Sequence, residues 1–189
     1  TDTKAETVNI TATVSGGSSL TKASKFVADS GSSKVNDLTV TTGALANGIA
    51  TNQATVTVVD ANNNPLPDAE VTWSQDGSAV LGTSAKTDAD GKATVKFTDT
   101  KAETVNVKAT VASGDSLSKP SEFIADVSTA KLLSLTVTKD GSSINGSDAN
   151  TAEATVVDAN NNPLAGQTVQ WTSDKTTVTL TPTNGGVSD

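Results

Sequence analysis

Oxygen-bearing side chains recur at alternate positions in one short run of the chain, residues 60–65. Asp60, Asn62 and Asn64 have the spacing of the first three ligands of a calcium-binding loop, in which carboxylate and amide oxygens surround the ion. The same run recurs at 158–163, so any chemistry that it performs is present twice.

The rest of the calcium motif is missing. Such a loop needs Gly at its sixth position and a bidentate Glu at its twelfth, and these positions hold Pro65 and Val71. The second copy has Pro163 and Val169 there. We therefore predict no metal site but a turn in which Asp and Asn bond nearby backbone groups, with a calcium site on the three oxygen-bearing residues as the weaker alternative.

Two carboxylates, Asp88 and Asp90, stand just before Gly91. A carboxylate pair can hydrolyse a glycosidic bond when a cleft holds the two groups at a fixed separation. No insertion that would build a cleft is visible in the sequence, and Gly91 is typical of a turn position with φ > 0. We predict an exposed hairpin turn here.

Trp73 is one of two tryptophans, and the other, Trp171, occupies the same place in a repeated sequence. An exposed Trp can stack on a sugar ring, but Trp73 alternates with Val71 in a strand-like pattern. A repeated aromatic at one strand position is typical of a core anchor in a β-sandwich. We predict that Trp73 is buried.

Composition excludes several kinds of chemistry. The chain has no Cys and no His, which removes disulfides, thiolate catalysis and the usual acid–base group near neutral pH. The net charge is −8 and Lys is scattered rather than clustered, so no nucleic-acid partner is expected. Lys101 and Glu103, repeated as Lys4 and Glu6, are predicted to form a solvated turn face. No residue is assigned to catalysis or to a cofactor, and we predict that the protein is not an enzyme.

Internal repetition indicates the architecture. Residues 1–9 recur at 98–106 and residues 58–66 recur at 156–164, which gives a period of about one hundred residues. That period is the size of an immunoglobulin-like domain and exceeds the periods of solenoid repeats. Short runs of alternating apolar and polar residues, separated by turn residues, fill each period. We predict an all-β chain of tandem immunoglobulin-like antiparallel β-sandwich domains.

The domain boundaries follow from the phase of the repeat. Residues 1–29 are predicted to be the C-terminal part of one repeat, 30–126 a complete repeat, and 127–189 the N-terminal part of the next. The junctions after positions 29 and 126 are short and poor in Gly and Pro, whereas a flexible linker would be longer and richer in Gly and Ser. We therefore expect a stiff array.

The residues at 58–73 and 87–105 resemble the group 1 bacterial immunoglobulin-like domain of the intimin and invasin family of Gram-negative outer-membrane adhesins. The matching features are a strand ending Val-Val-Asp, an Asn-rich turn with Pro, a Val-Thr-Trp strand and the run Thr-Asp-Ala-Asp-Gly-Lys-Ala. The resemblance implies an extracellular stalk on the bacterial cell surface. The outer-membrane anchor and the receptor-binding tip that many members carry would lie outside these residues.

The leading hypothesis is a structural stalk or spacer segment, whose partners are the neighbouring repeats of the same chain. A host-cell receptor would be reached only through the tip outside the fragment. The alternative is a binding module that itself contacts a host protein, a glycan or a neighbouring adhesin, and an exposed apolar or aromatic patch would favour it. A third hypothesis, an accessory domain of a secreted hydrolase, requires a catalytic domain elsewhere in the gene.

The two terminal segments are incomplete repeats. Residues 127–189 are expected to correspond to 30–91, and residues 1–29 to the end of the repeat. Each segment leaves sheet edges unpaired. We therefore expect head-to-tail chain contacts in a crystal, in which residues 8–14 or 24–28 of one chain pair with the last segment of a neighbour.

Overall fold

The computed structural model describes all residues of the chain, 1–189. Their contacts define two compact units. The first unit comprises Thr1–Thr42, Asn52–Phe97 and Thr104–Ser121, and the second comprises Gly43–Thr51, Thr98–Glu103 and Glu122–Asp189.

The regular structure consists of strands and short 3₁₀ turns, as the alternation predicts. The strands are β1 (Thr7–Thr13), β2 (Ser19–Lys25), β3 (Lys34–Val40), β4 (Ala44–Leu45), β5 (Asn52–Val59), β6 (Glu70–Gln75), β7 (Val80–Leu81), β8 (Ser84–Lys86), β9 (Lys92–Thr98), β10 (Thr104–Val111), β11 (Ser116–Ile124), β12 (Lys131–Lys139) and β13 (Thr151–Val157). The 3₁₀ turns lie at Ser30–Ser32, Val127–Thr129 and Thr183–Gly186. The prediction of an all-β chain is confirmed.

Two sheets form the body of the first unit. One has the order β3-β5-β9-β7, and in the other β11, β10, β6 and β8 are successive neighbours. In the first sheet Val56 lies opposite Leu38 on one side and Ala93 on the other. In the second sheet Trp73 lies opposite Ala109. Strand β10 packs on β3 and β5, so the sheets face each other as the predicted antiparallel sandwich.

Apolar residues at alternate positions fill the core, because successive side chains of a strand point to opposite faces of its sheet. In β5, Val56 and Val58 are fully buried, whereas Thr57 between them is only half-buried. Six large apolar residues at inward positions of these strands are all buried, namely Val56, Val58, Trp73, Val95, Phe97 and Val107. Trp73 is only 3% exposed, which confirms it as a core anchor and excludes it as a sugar-stacking platform.

Three smaller pairings complete the two units. The hairpin β1–β2 pairs with itself, from Thr7 opposite Lys25 to Thr13 opposite Ser19. In the second unit, β12 and β13 form a two-stranded antiparallel sheet. The short strand β4 pairs in parallel with the end of β11.

Some strands escape detection in the sequence. Strands β4 and β7 have two residues each, too few to display alternation. Strand β11 begins at Ser116, but its first half gives no strand signal in the sequence, because it is exposed and lacks an inward apolar series.

The sequence predicts that residues 127–189 correspond to residues 30–91, and this prediction is wrong at the C-terminal end of the segment. The hydroxyl of Ser188 donates to Leu164 O at 2.8 Å and accepts the amide of Gln167 at 2.8 Å. Thr87 makes the same pair of bonds in the central repeat, to the carbonyl of Leu66 and from an amide in the same loop. Ser188 therefore takes the place of Thr87.

The cause is an insertion. Three more residues separate Trp171 from Ser188 than separate Trp73 from Thr87. Residues 127–189 thus correspond to 30–88 and end before the counterpart of β9. The inserted connection contains no repeated motif that would have marked the shift.

Candidate functional site

The oxygen-rich run at 60–65 forms the turn after β5, and one buried carboxylate organises it. Asp60 is 2% exposed. Its Oδ1 accepts the amides of Asn62 at 2.8 Å and Asn64 at 2.9 Å, and its Oδ2 accepts Nδ2 of Asn64 at 2.9 Å. Asn63 lies in the left-handed region at φ 67°, which Asn tolerates better than most residues.

Asp60 and Asn64 also hold the segment that precedes the central repeat. The amide of Asp29 donates to Asp60 Oδ2 at 3.1 Å. The side chain of Asn64 accepts the amide of Ala5 at 2.8 Å and donates from Nδ2 to Thr3 O at 2.9 Å. We call Asp60 and Asn64 the first clasp.

The run at 158–163 repeats this organisation around a second buried carboxylate. Asp158 accepts the amides of Asn160 at 2.8 Å and Asn162 at 2.9 Å through Oδ1. Its Oδ2 accepts Nδ2 of Asn162 at 2.9 Å and the amide of Asp126 at 3.1 Å. The carboxylate is fully buried.

Two amide side chains of this second turn reach back to the central repeat. Asn162 accepts the amide of Ala102 at 2.7 Å and donates from Nδ2 to Thr100 O at 3.0 Å. Asn160 adds a bond from Nδ2 to Ala46 O at 2.9 Å. We call Asp158, Asn160 and Asn162 the second clasp. Asn162 is buried whereas Asn64 is only half-buried.

Each clasp is backed by the 3₁₀ turn that begins the connection between repeats. Asp29 caps the turn Ser30–Ser32 by accepting the amide of Gly31. The hydroxyl of Ser32 then accepts the amide of Ala61 at 3.2 Å, which ties the connection to the clasp turn. The same arrangement recurs one repeat later. Each 3₁₀ turn is therefore bonded to its clasp turn at both of its ends.

The electrostatics of the clasps favour charged carboxylates. Burial by itself would raise the pKa of Asp60, since it removes the charged form from water. Hydrogen bonds from the side chain and amide of Asn64 and from the amides of Asp29 and Asn62 outweigh burial, so the pKa of Asp60 lies below its usual value. The pKa of Asp158 is lowered in the same way by the equivalent donors.

The structure brings the three candidate calcium ligands into one turn, but not as a ligand set. The backbone amide of Asn62 donates a hydrogen bond to Asp60. Both carboxylate oxygens of Asp60 already accept hydrogen bonds from donors of the protein. The chain has no group of three or more His, Cys, Asp or Glu side chains placed to hold a metal ion. The arrangement suits the recognition of backbone amides and carbonyls, and metal independence stays a prediction.

The pair Asp88 and Asp90 builds a hairpin turn. Asp88 Oδ1 accepts the amides of Asp90 and Lys92, each at 2.9 Å. Gly91 has φ 72°, as predicted. A Cβ at Gly91 would collide with the carbonyl oxygen of Val58. The amide of Val58 donates to Gly91 O at 2.7 Å. The carboxylate of Asp88 thus shapes the backbone of the turn.

Exposed ion pairs lie in the loops that the clasps hold. Lys4 pairs with Glu6, and Lys101 pairs with Glu103. The Lys side chains are 72% and 66% exposed, as expected for a solvated turn face. The clasp bonds end on backbone atoms of these loops.

The clasp turns are recognisable in the sequence, but the groups that they hold are not. The held groups are backbone amides and carbonyls, which carry no residue signature. A signal was nevertheless present. The two stretches that recur with least change, at 1–9 with 98–106 and at 58–66 with 156–164, supply the two sides of each junction.

The chain is similar to several known bacterial surface proteins. The inverse autotransporter adhesin YeeJ of Escherichia coli (strain K12) is 36% identical over 194 residues, which cover 99% of this chain and 8% of YeeJ. The chain therefore spans a small part of that relative. The D0-D1 domain of intimin is 30% identical with a TM-score of 0.46, over 70% of this chain and 69% of that one.

The structure of invasin, a bacterial integrin-binding protein, is 26% identical with a TM-score of 0.46, over 70% of this chain and 28% of that one. No helix of the present chain is long and apolar enough to cross a membrane. The sequence profile of the bacterial Ig-like domain (group 1) matches residues 35–124 and 132–189, which together make up most of the chain. The chain therefore belongs to the bacterial Ig-like domain (group 1) family.

Proposed function

We propose that this chain is a structural stalk segment of a bacterial cell-surface adhesin, which holds a distal receptor-binding tip away from the outer membrane. The observation that supports the proposal is the recurrence of the clasp. At two successive junctions, a buried Asp and an Asn of one repeat bond the backbone of the preceding segment. A repeated junction extends an array by the same step each time.

The clasp suits a spacer because it restrains the junction at several places. A linker alone leaves neighbouring domains free to rotate. The second clasp bonds three separate stretches of the central repeat, at Ala46, at Thr100 with Ala102, and at Asp126. Attachment through three stretches opposes both bending and twisting.

The proposal includes the domain organisation and the partners. Residues 1–29, 30–126 and 127–189 are successive repeats, of which the middle one is complete. The partners of each repeat are its neighbours in the chain, and the stalk stands outside the cell on an outer-membrane anchor. A host receptor would be met by a tip beyond these residues, consistent with the integrin-binding description of the similar invasin.

Spin-label distances test the stiffness that a stalk needs. The chain has no Cys, so Thr51→Cys and Thr136→Cys give two unique labels on exposed positions either side of the second clasp. We expect a narrow distance distribution in this background. Adding Asn162→Asp should broaden it, because a carboxylate cannot donate to Thr100 O and repels Asp158.

The neighbouring change Asn161→Asp is the matched control. It adds the same charge at an exposed position in the left-handed region, which Asp also tolerates. The control distribution should equal that of the parent. A parent distribution as broad as that of Asn162→Asp would contradict a stiff stalk, and specific adhesion of host cells to beads coated with this chain would favour the binding module instead.

We also propose head-to-tail pairing of chains in a crystal, since β1 and β12 expose apolar side chains such as Ile10 and Leu135. The contact is heterologous and would build an open fibre. It would still lack a counterpart of β9. The list of β-bridges across lattice contacts tests the idea, and pairing of both segments only within their own chain would refute it.

A further inference from the structure

All the groups that the clasps bond in the preceding segment are backbone atoms. For the second clasp they are Ala46 O, Thr100 O, Ala102 N and Asp126 N. For the first clasp they are Thr3 O, Ala5 N and Asp29 N. The clasp side of each contact, in contrast, is made by specific Asp and Asn side chains.

The geometry at Asn162 is that of strand pairing. Thr100 O and Ala102 N flank Lys101, and a residue of a parallel neighbouring strand bonds the two groups that flank its partner in this way. The carboxamide of Asn162 offers the same acceptor and donor as a peptide group. The side chain of Lys101 takes no part, since it pairs with Glu103 and is 66% exposed.

We propose that the Asp-X-Asn-X-Asn turn is a docking site for the backbone of an extended three-residue loop, and that it accepts a neighbouring repeat of this fold whatever side chains that loop carries. The inference rests on the proposed stalk function and names the partner of its junctions. The selectivity of the junction resides in the turn alone. The loop must only keep an N–H at the position of Ala102.

Because the turn supplies specific side chains and the loop supplies only backbone groups, an array can contain loops of varied sequence. Repeats with different loop sequences can stand next to each other without a change at the junction. Loss of the last Asn of the turn, Asn64 or Asn162, turns a stiff junction into a hinge. Pro at the position of Ala102 has the same effect, because Pro lacks the donor.

Hydrogen exchange of the Ala102 amide in the full chain, followed by NMR, tests the inference. The variants are Asn162→Asp, its neighbour Asn161→Asp and the loop change Lys101→Ser. We expect Asn162→Asp to speed exchange on the order of 10-fold, since it removes the donor to Thr100 O and sets a second carboxylate against that of Asp158, which displaces the acceptor of the Ala102 amide. Asn161→Asp and Lys101→Ser should exchange at the wild-type rate.

Faster exchange in Lys101→Ser, to the extent seen in Asn162→Asp, would overturn the inference, because it would mean that the loop is recognised through its side chain. If Asn162→Asp fails to fold, Asn64→Asp gives the same test at the amide of Ala5. Spin-label distances separate this inference from the stalk proposal. If the Ala102 amide is protected but the distance distribution is broad, the stiff stalk is refuted and the docking site is upheld. If the amide is unprotected but the distribution is narrow, the docking site is refuted and the stiff stalk is upheld.

Discussion

The amide of Ala102 donates to Oδ1 of Asn162 at 2.7 Å, between residues 60 positions apart in the chain. Its counterpart, from Ala5 to Asn64, spans 59 positions at 2.8 Å. Both copies of the turn thus show one geometry. The recurrence indicates that the bond belongs to the repeated sequence and not to one particular pair of residues.

Removal of the core anchor should be costly. We expect Trp73→Ala to lower the free energy of unfolding by about 3–5 kcal/mol, the usual range for deleting a buried aromatic. Urea titration followed by fluorescence and circular dichroism measures the change. A loss similar to that of an exposed turn substitution would contradict the burial of Trp73.

The choice of that exposed control depends on the structure. From the sequence alone, Asn63→Ala is expected to change stability by less than about 1 kcal/mol. Asn63 has φ 67°, however, and Ala in the left-handed region adds a strain of about 1–2 kcal/mol. Asn63→Gly removes the side chain without that strain and should change stability by less than about 1 kcal/mol.

Gly91 should tolerate no side chain. Gly91→Ala places a Cβ against the carbonyl of Val58 at a positive φ, so it combines a backbone collision with conformational strain. Gly114→Ala is the matched control, because Gly114 also has positive φ but nothing lies within 4 Å of its added Cβ. We expect about 1–2 kcal/mol of destabilisation for Gly114→Ala and clearly more for Gly91→Ala in urea titrations. Equal losses of stability in the two variants would show that the structure relieves the collision at Gly91.

Acid should open the clasps. The folded-state pKa values of Asp60 and Asp158 are lowered, so their charged forms stabilise the folded state at every pH above the unfolded value of about 3.9. That contribution is lost as the pH falls through the folded-state pKa. The protection of the Ala102 amide, relative to its intrinsic exchange rate at the same pH, should therefore fall in this acid range.

A matched pair of isosteric changes checks the assignment of the acid effect. Asp158→Asn should weaken protection of Ala102 already at neutral pH and flatten its dependence on acid. Asp148→Asn removes another carboxylate whose pKa is lowered, there by a hydrogen bond from Lys139, but it lies outside the clasp. Its acid profile at Ala102 should match that of the wild type.

The protein should not need calcium. Donors already fill both oxygens of Asp60, so an ion would have to displace them. We expect the same melting temperature in calcium and in chelator. A reproducible rise of several degrees with calcium would mean that the Asp60 turn, or another site, binds an ion preferentially in the folded state.

The strands and the core could be predicted because their signal is local. Alternation along β5 or β10 follows from the two-residue period of a strand, and it marks Val56 and Val107 as inward-facing without knowledge of their partners. Strand β4 was missed since its two residues pair with a distant strand through backbone bonds. The three-residue insertion before Ser188 was missed since it lies between repeated motifs.

By itself, the sequence determined the all-β architecture, the period, the identity of the core and the chemical nature of the 60–65 turn. Only the tertiary structure decided what that turn holds. A hydrogen bond from Asn64 or Asn162 to a backbone group depends on where a loop of another repeat arrives in space, and a backbone group is the same for almost every residue. No pattern of side chains can therefore predict which backbone groups the turn binds. Folding alone brings Thr100 and Ala102 within reach of Asn162.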